Sequence, residues 1–234
     1  MDQKPWWPPP NIEPQGQYLA DMSGEHRRTT SIQIARSLEG IAPSTQLYRD
    51  VCYPGDTLEH QTLLAKAQTV CSLLVGGWMR LLGCAHPLLD PEYWGRTDAH
   101  SRIEQVARDS GDGCWGGHDG EFVGGDAIMI GTDVPRDAPG RSKIIAQWGT
   151  PGHAAIVLNV KVQDDQTMLV TTLDGGRSPF TVKTRTMTVD SRGRKWLHGW
   201  TTRRVWGSIR VDKLKIDPDR QWYLPKGPKY PGLT

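Results

Sequence analysis

Two short stretches carry the residue types of nucleophilic acyl chemistry. "TVCSLLVGGWMRLLG" sets Cys71 at the head of an apolar run, and "GHAAIVLNV" sets His153 at the start of a strand-like one. A thiolate attacks a carbonyl far better than a thiol, and a helix N-terminus favours the charged form through its dipole and free N–H groups. Those N–H groups can also hold the oxyanion of a tetrahedral intermediate. An imidazole in reach of the sulfur takes its proton as base and later returns it as acid to a leaving amine. A third polar group fixes the ring. Asp174, at the end of the run "TTLDGG", is the expected third group. The assignment is therefore Cys71 as nucleophile, His153 as base and Asp174 as orienter, with the Cys71 N–H and Gln68 as oxyanion donors. Such a reaction requires no cofactor and no metal.

These side chains need a helix and two neighbouring strands to position them. Leu63, Leu64, Ala67, Val70, Cys71, Leu74, Val75, Trp78, Leu81 and Leu82 recur at spacings of three and four, which predicts a helical region over 57–83. Asp56 and Glu59 form a capping pattern at its start, and Gly83 stops it. Thr69 offers a second cap, so one helix or two remain open. A short helix is expected over 101–108. Strand-like runs then follow at 125–131, 153–162, 167–174, 180–189 and 203–211. The fourth alternates Val182, Thr184 and Thr186 against Lys183 and Arg185, as in a sheet with one wet face. Helices followed by about five consecutive strands predict an α+β fold with an antiparallel sheet. A tight turn at "QDDQ" would bring the start of one strand, His153, beside the end of the next, Asp174.

The blocks "TVCSLLVGGWMRLLG", "GDAIMIG", "GHAAIVLNV" and "TTLDGG" resemble the Cys-Ser helix, Gly-Asp strand, Gly-His strand and polar third residue of NlpC-like and CHAP cell-wall cysteine hydrolases. The resemblance spans residues 65–211. It implies a papain-like fold, with N-terminal helices packed on the sheet, and cleavage of amide bonds in peptidoglycan peptides. It places that family's nucleophile on Cys71, its base on His153 and its orienting residue on Asp174. Several secreted antibacterial amidase effectors share these features. The resemblance therefore also implies an exported toxin acting in the periplasm or cell wall and an inhibitory immunity protein as partner. Val70 stands where the family carries Asp or Asn, and the long Cys71–His153 separation marks 85–125 as an insertion. The expected organisation is an N-terminal arm over 1–56, a catalytic domain over 57–214 and an irregular tail over 215–234.

Composition narrows the rest. With 28 basic and 26 acidic residues and no basic block, binding to a nucleic-acid backbone is not expected. The N-terminal "MDQKPWWPPP" has no apolar stretch of signal-peptide or membrane-spanning length, so synthesis in the cytoplasm and export without a cleavable leader are expected. The four cysteines are then thiols by default. Ten tryptophans against two phenylalanines suggest an aromatic groove, for which Trp94 and Trp115 in the 85–125 segment are the candidates. Competing readings are Cys114 as nucleophile in "GDGCWGGHDGE", a zinc site of Cys84, His86, Cys114 and His118, and a non-catalytic module binding glycan or protein. A hydrolase of the same kind acting on protein or lipid amides is a further alternative.

Overall fold

Six strands pair antiparallel throughout, and the sheet closes on itself. The structure is a computed structural model that describes residues 23–42, 51–52, 71–89, 99–131, 152–175, 179–199 and 203–217. Among these, three α-helices accompany the barrel, besides the helical pair Val51 and Cys52. They are α1 (Gly24–Ser37), α2 (Cys71–Leu81) and α3 (Ala99–Asp109). The strands are β1 (Ala127–Gly131), β2 (His153–Val162), β3 (Thr167–Asp174), β4 (Thr181–Val189), β5 (Lys195–Leu197) and β6 (Arg203–Ile209). No helix among the described residues is long and apolar enough to cross a membrane.

The closed barrel overturns the expectation of a papain-like α+β fold with an open antiparallel sheet of about five strands. The antiparallel pairing itself is as expected; the closure is not. It depends on the first strand pairing with the last, Ala127 opposite Ile209 and Ile128 opposite Ser208. It also depends on the three-residue β5, which joins Met187 of β4 to Leu197 and Trp196 to Arg204 of β6. Register shifts place one extra residue on β6, Trp206, opposite Met129/Ile130 and one on β2, Leu158, opposite Thr172/Thr171, and bulges of this kind bend the strand that carries them.

The two faces of the strands bury two different clusters. Ile128, Ile130, Ala155, Val157, Val170, Met187, Leu197 and Val205 fill the barrel interior with Phe122, as side chains do in small barrels. The alternate residues Met129, Ala154, Ile156 and Leu173 face outward and pack under the helices with Leu74, Trp78, Ile103 and Val106. On β4 the charged side of the alternation is the inward one, since Arg185 shares a face with buried Met187 while Thr184 and Thr186 are exposed.

Helix α2 is buried on every side, the pattern of a helix inside a core rather than on a surface. Leu74, Val75, Trp78 and Met79 are fully covered, each contributing roughly 1.5–3 kcal/mol of burial. Its polar groups are satisfied internally. Trp78 Nε1 donates to Ser31 Oγ at 3.0 Å, and Ser31 in turn donates to the Gly125 carbonyl at 2.6 Å. Arg80 donates to the Val51 carbonyl at 2.9 Å. The helix is thereby tied to α1 and to the entry of β1. The expected helix over 57–70 and its Asp56/Glu59 cap lie outside the described residues, as do the arm over 1–17 and the end of the tail.

The Asp of the "GGDAIMIG" run is a structural bracket. The fully buried Asp126 carboxylate accepts from the N–H groups of Val123 and Val211, each at 3.0 Å. It joins the start of β1 to the chain leaving β6. Burial raises its pKa, and the two backbone donors oppose that rise.

Candidate active site

Cys71 heads the described length of α2, and His153 and Asp174 lie at one end of the barrel. Asp174 is directly opposite Ala155, so His153, two residues earlier on β2, is its diagonal neighbour on the same face. The His153 Nε2 atom lies 3.0 Å from Asp174 Oδ1. That nitrogen is therefore committed to the carboxylate. His153 is close enough to Cys71 for each to shift the pKa of the other. The close approach of helix to strand depends on Gly175, immediately after Asp174. A Cβ there would meet the Leu74 side chain at 2.9 Å and 3.0 Å, so a larger residue would force Leu74 to shift against the strand end.

Three expected residues are thus brought together, and the structure adds others to them. Arg185, on β4, lies along the barrel interior to reach the same carboxylate. It pairs with Asp174 through Nη2 and donates to Thr172 Oγ1 through Nη1 at 2.9 Å. Thr172 Oγ1 donates to Asp174 Oδ1 at 3.3 Å, and Lys183 Nζ stands 3.9 Å from Oδ2. The Asp174 and Arg185 side chains are only 5% and 10% exposed. Buried charges of this kind persist only when paired and hydrogen-bonded. A second imidazole also reaches the sulfur: His100 Nε2, from the first turn of α3, is 3.7 Å from Cys71 Sγ.

The electrostatics follow from these contacts. Burial by itself would raise the Cys71 thiol; hydrogen bonds from His100 and His153, with their charges, outweigh it and Cys71 is pushed down to about 5. Burial would lower His153, but the hydrogen bond to Asp174 and the contact with Cys71 push it up to about 9. Asp174 is held below the usual carboxylate range, against its burial, by His153 and Arg185. Between these values the resting pair is thiolate and imidazolium. The other cysteines are different. Burial pushes Cys114 up to about 12 and Cys52 higher still, so both stay thiols.

The chain matches no family model, no curated protein and no solved structure. The site is therefore described by its own geometry.

The remaining candidates fall elsewhere. Trp115 bridges to Ile209, lays its ring against Gly207, where a Cβ would meet it at 2.0 Å, and lies under the Arg108 guanidinium at 5.4 Å. These contacts are those of a residue packed against β6. Trp94 and Gln68 lie outside the described residues. The weighed zinc ligands have separate partners: Cys114 Sγ donates to the Arg210 carbonyl at 3.6 Å, His86 pairs with Asp109 at 3.0 Å, and His118 packs on Trp206. His100 and Arg185 were missed. The signal for His100 was its spacing to Ile103 and Ala107, which puts it on the inward stripe of α3.

Arg185 both anchors Asp174 and competes with His153 for it. A cation next to the carboxylate makes protonating the imidazole harder. Arg185→Met is therefore expected to raise the His153 pKa above its value near 9, while loosening Asp174. An NMR titration of the His153 ring proton checks the sign; a fall in the pKa would contradict this account of Arg185.

Proposed function

We propose that the protein is a cysteine hydrolase that cleaves amide bonds by acyl transfer through Cys71, and that its substrate is a peptide of the bacterial cell wall. The carrying observation is a buried sulfur 3.7 Å from His100 Nε2 and beside His153, whose Nε2 is held 3.0 Å from Asp174. A nucleophile, a base and an orienting group in that relation constitute the machinery of acyl transfer.

In the reaction, the thiolate electron pair forms a C–S bond to the carbonyl carbon and the C=O π pair moves onto oxygen. The oxyanion collapses, the C–N bond breaks, and His153 gives its proton to the departing nitrogen, which leaves as a neutral amine. A thioester remains on Cys71. Water then attacks it, neutral His153 takes the water proton, and the carboxylic acid leaves as the thiolate is restored. Asp174 holds the ring in one orientation through both halves and favours its protonated form.

The choice of substrate rests on the resemblance of the four motif blocks to cell-wall cysteine hydrolases. A substrate of that class lies in the periplasm or wall, and an antibacterial role would pair the protein with an inhibitory partner. Purified peptidoglycan digested with the protein should release fragments bearing a new amine and a new carboxyl group, identified by mass. Cys71→Ala protein should release none. Intact peptidoglycan alongside cleaved protein or lipid amides would move the substrate class while leaving the chemistry in place.

A further inference from the structure

Once Cys71 has attacked, His153 must carry a proton to the leaving amine, so it is not free to hold the oxyanion. The negative charge that sat on sulfur has moved to an oxygen two bonds away, and some other donor must follow it. We propose that His100 is that donor: its Nε2–H holds the thiolate in the resting protein and passes the same hydrogen bond to the oxyanion of the tetrahedral intermediate. This assignment rests on the hydrolase reading above.

The geometry supports the transfer. His100 Nε2 lies 3.7 Å from Sγ, long for a hydrogen bond to an oxygen but suited to a large anionic sulfur. The oxyanion forms nearer to the sulfur than this nitrogen is. It can therefore lie within normal hydrogen-bonding distance of Nε2–H without movement of the ring. A thiolate offers no proton, so the hydrogen bond between the two must be donated by His100 Nε2–H. The carrier is rigid. Helix α3 buries Ile103, Val106 and Ala107, and His100 stands one and two turns before them on the same stripe. Its outer face holds the Glu104–Arg108 pair at 2.7 Å. A donor fixed on a packed helix costs no reorganisation when charge develops.

Two reagents separate this role from a merely structural one. p-Nitrophenyl acetate acylates a thiolate through an oxyanion, whereas iodoacetamide alkylates it without one. In His100→Ala the acylation rate should fall about 10²-fold. The alkylation limb should move to higher pH while its plateau rate is kept. His100→Gln, which retains an N–H donor, should recover acylation to within about tenfold of the parent. The proposal is overturned if His100→Ala acylates at the parent rate, if acylation and plateau alkylation fall together, or if His100→Gln is as slow as His100→Ala. The last result would make the ring a proton carrier rather than a hydrogen-bond donor. A parent protein in which Cys71 is not acylated at all, or in which His153→Ala changes nothing, sinks the hydrolase reading itself and this proposal with it.

Discussion

Cys71→Ala is expected to lower amide hydrolysis by about 10⁴-fold or more, while Cys114→Ala keeps most of the parent rate. Removing the nucleophile of a catalytic unit leaves only the small rate that binding and oxyanion donors supply. Cys114 lacks any such unit. Its thiol is pushed up to about 12 and donates to a backbone carbonyl, which is the behaviour of a core residue. Both cysteines are buried, so their replacement by alanine should perturb folding similarly. The contrast in rate therefore reports chemistry. Measuring turnover of purified peptidoglycan by both variants at equal folded concentration checks it, and near-equal rates would refute Cys71 as nucleophile.

Asp174→Ala should have the next largest effect, on two quantities at once. It frees the His153 ring and removes the carboxylate that favours the imidazolium, with an expected loss of about 10³-fold in turnover. It also leaves the Arg185 guanidinium, only 10% exposed, without its counter-ion inside the barrel. Breaking a buried pair from one side costs about 3–5 kcal/mol, to be read from denaturant unfolding. The sign with pH is fixed by the lowered pKa of Asp174. Its contribution to stability is present above the ordinary carboxylate range and is lost as pH falls through the lowered value. The deficit of the variant should therefore shrink in acid. Asp174→Asn keeps an acceptor for His153 and should retain more turnover than Asp174→Ala; equal losses would mean that charge, not orientation, is the main contribution.

What the sequence made legible was local. The runs that became β2 and β3 carry their own boundaries, so the diagonal placing of His153 and Asp174 could be reasoned from two strands and a tight turn. The closure of the barrel could not. It hangs on β5, whose three residues are too few to show an alternation, and on a pairing between β1 and β6 that no neighbouring residue announces. Helix α1 escaped notice for a different reason. Only Ser31, Ile34 and Ala35 are buried along its length, so its apolar stripe is narrow, although Ser23 caps it by accepting from the His26 N–H at 3.4 Å. Arg185 was hidden by a sound rule applied to the wrong face. In most sheets the charged side of an alternation meets water, but here a buried carboxylate draws the arginine inward.

Trp115 carries a packing role that its loop did not suggest. An aromatic residue in a glycine-rich loop suggests a binding surface, yet the glycine that mattered lies on β6. Gly207 leaves room for the Trp115 ring where any side chain would collide. The segment 85–125 does reach Cys71, through His100.

The central claim is that Cys71 rests as a thiolate beside an imidazolium, and alkylation of the intact protein tests it most directly. At pH 6, well below the ordinary thiol range, iodoacetamide should modify Cys71 alone among the four cysteines. The rate should fall only as pH drops through about 5. Peptide mapping by mass identifies the site. Labelling that begins only above pH 8, or that falls first on Cys52, Cys84 or Cys114, would show an inert thiol at position 71 and would favour a non-catalytic binding protein.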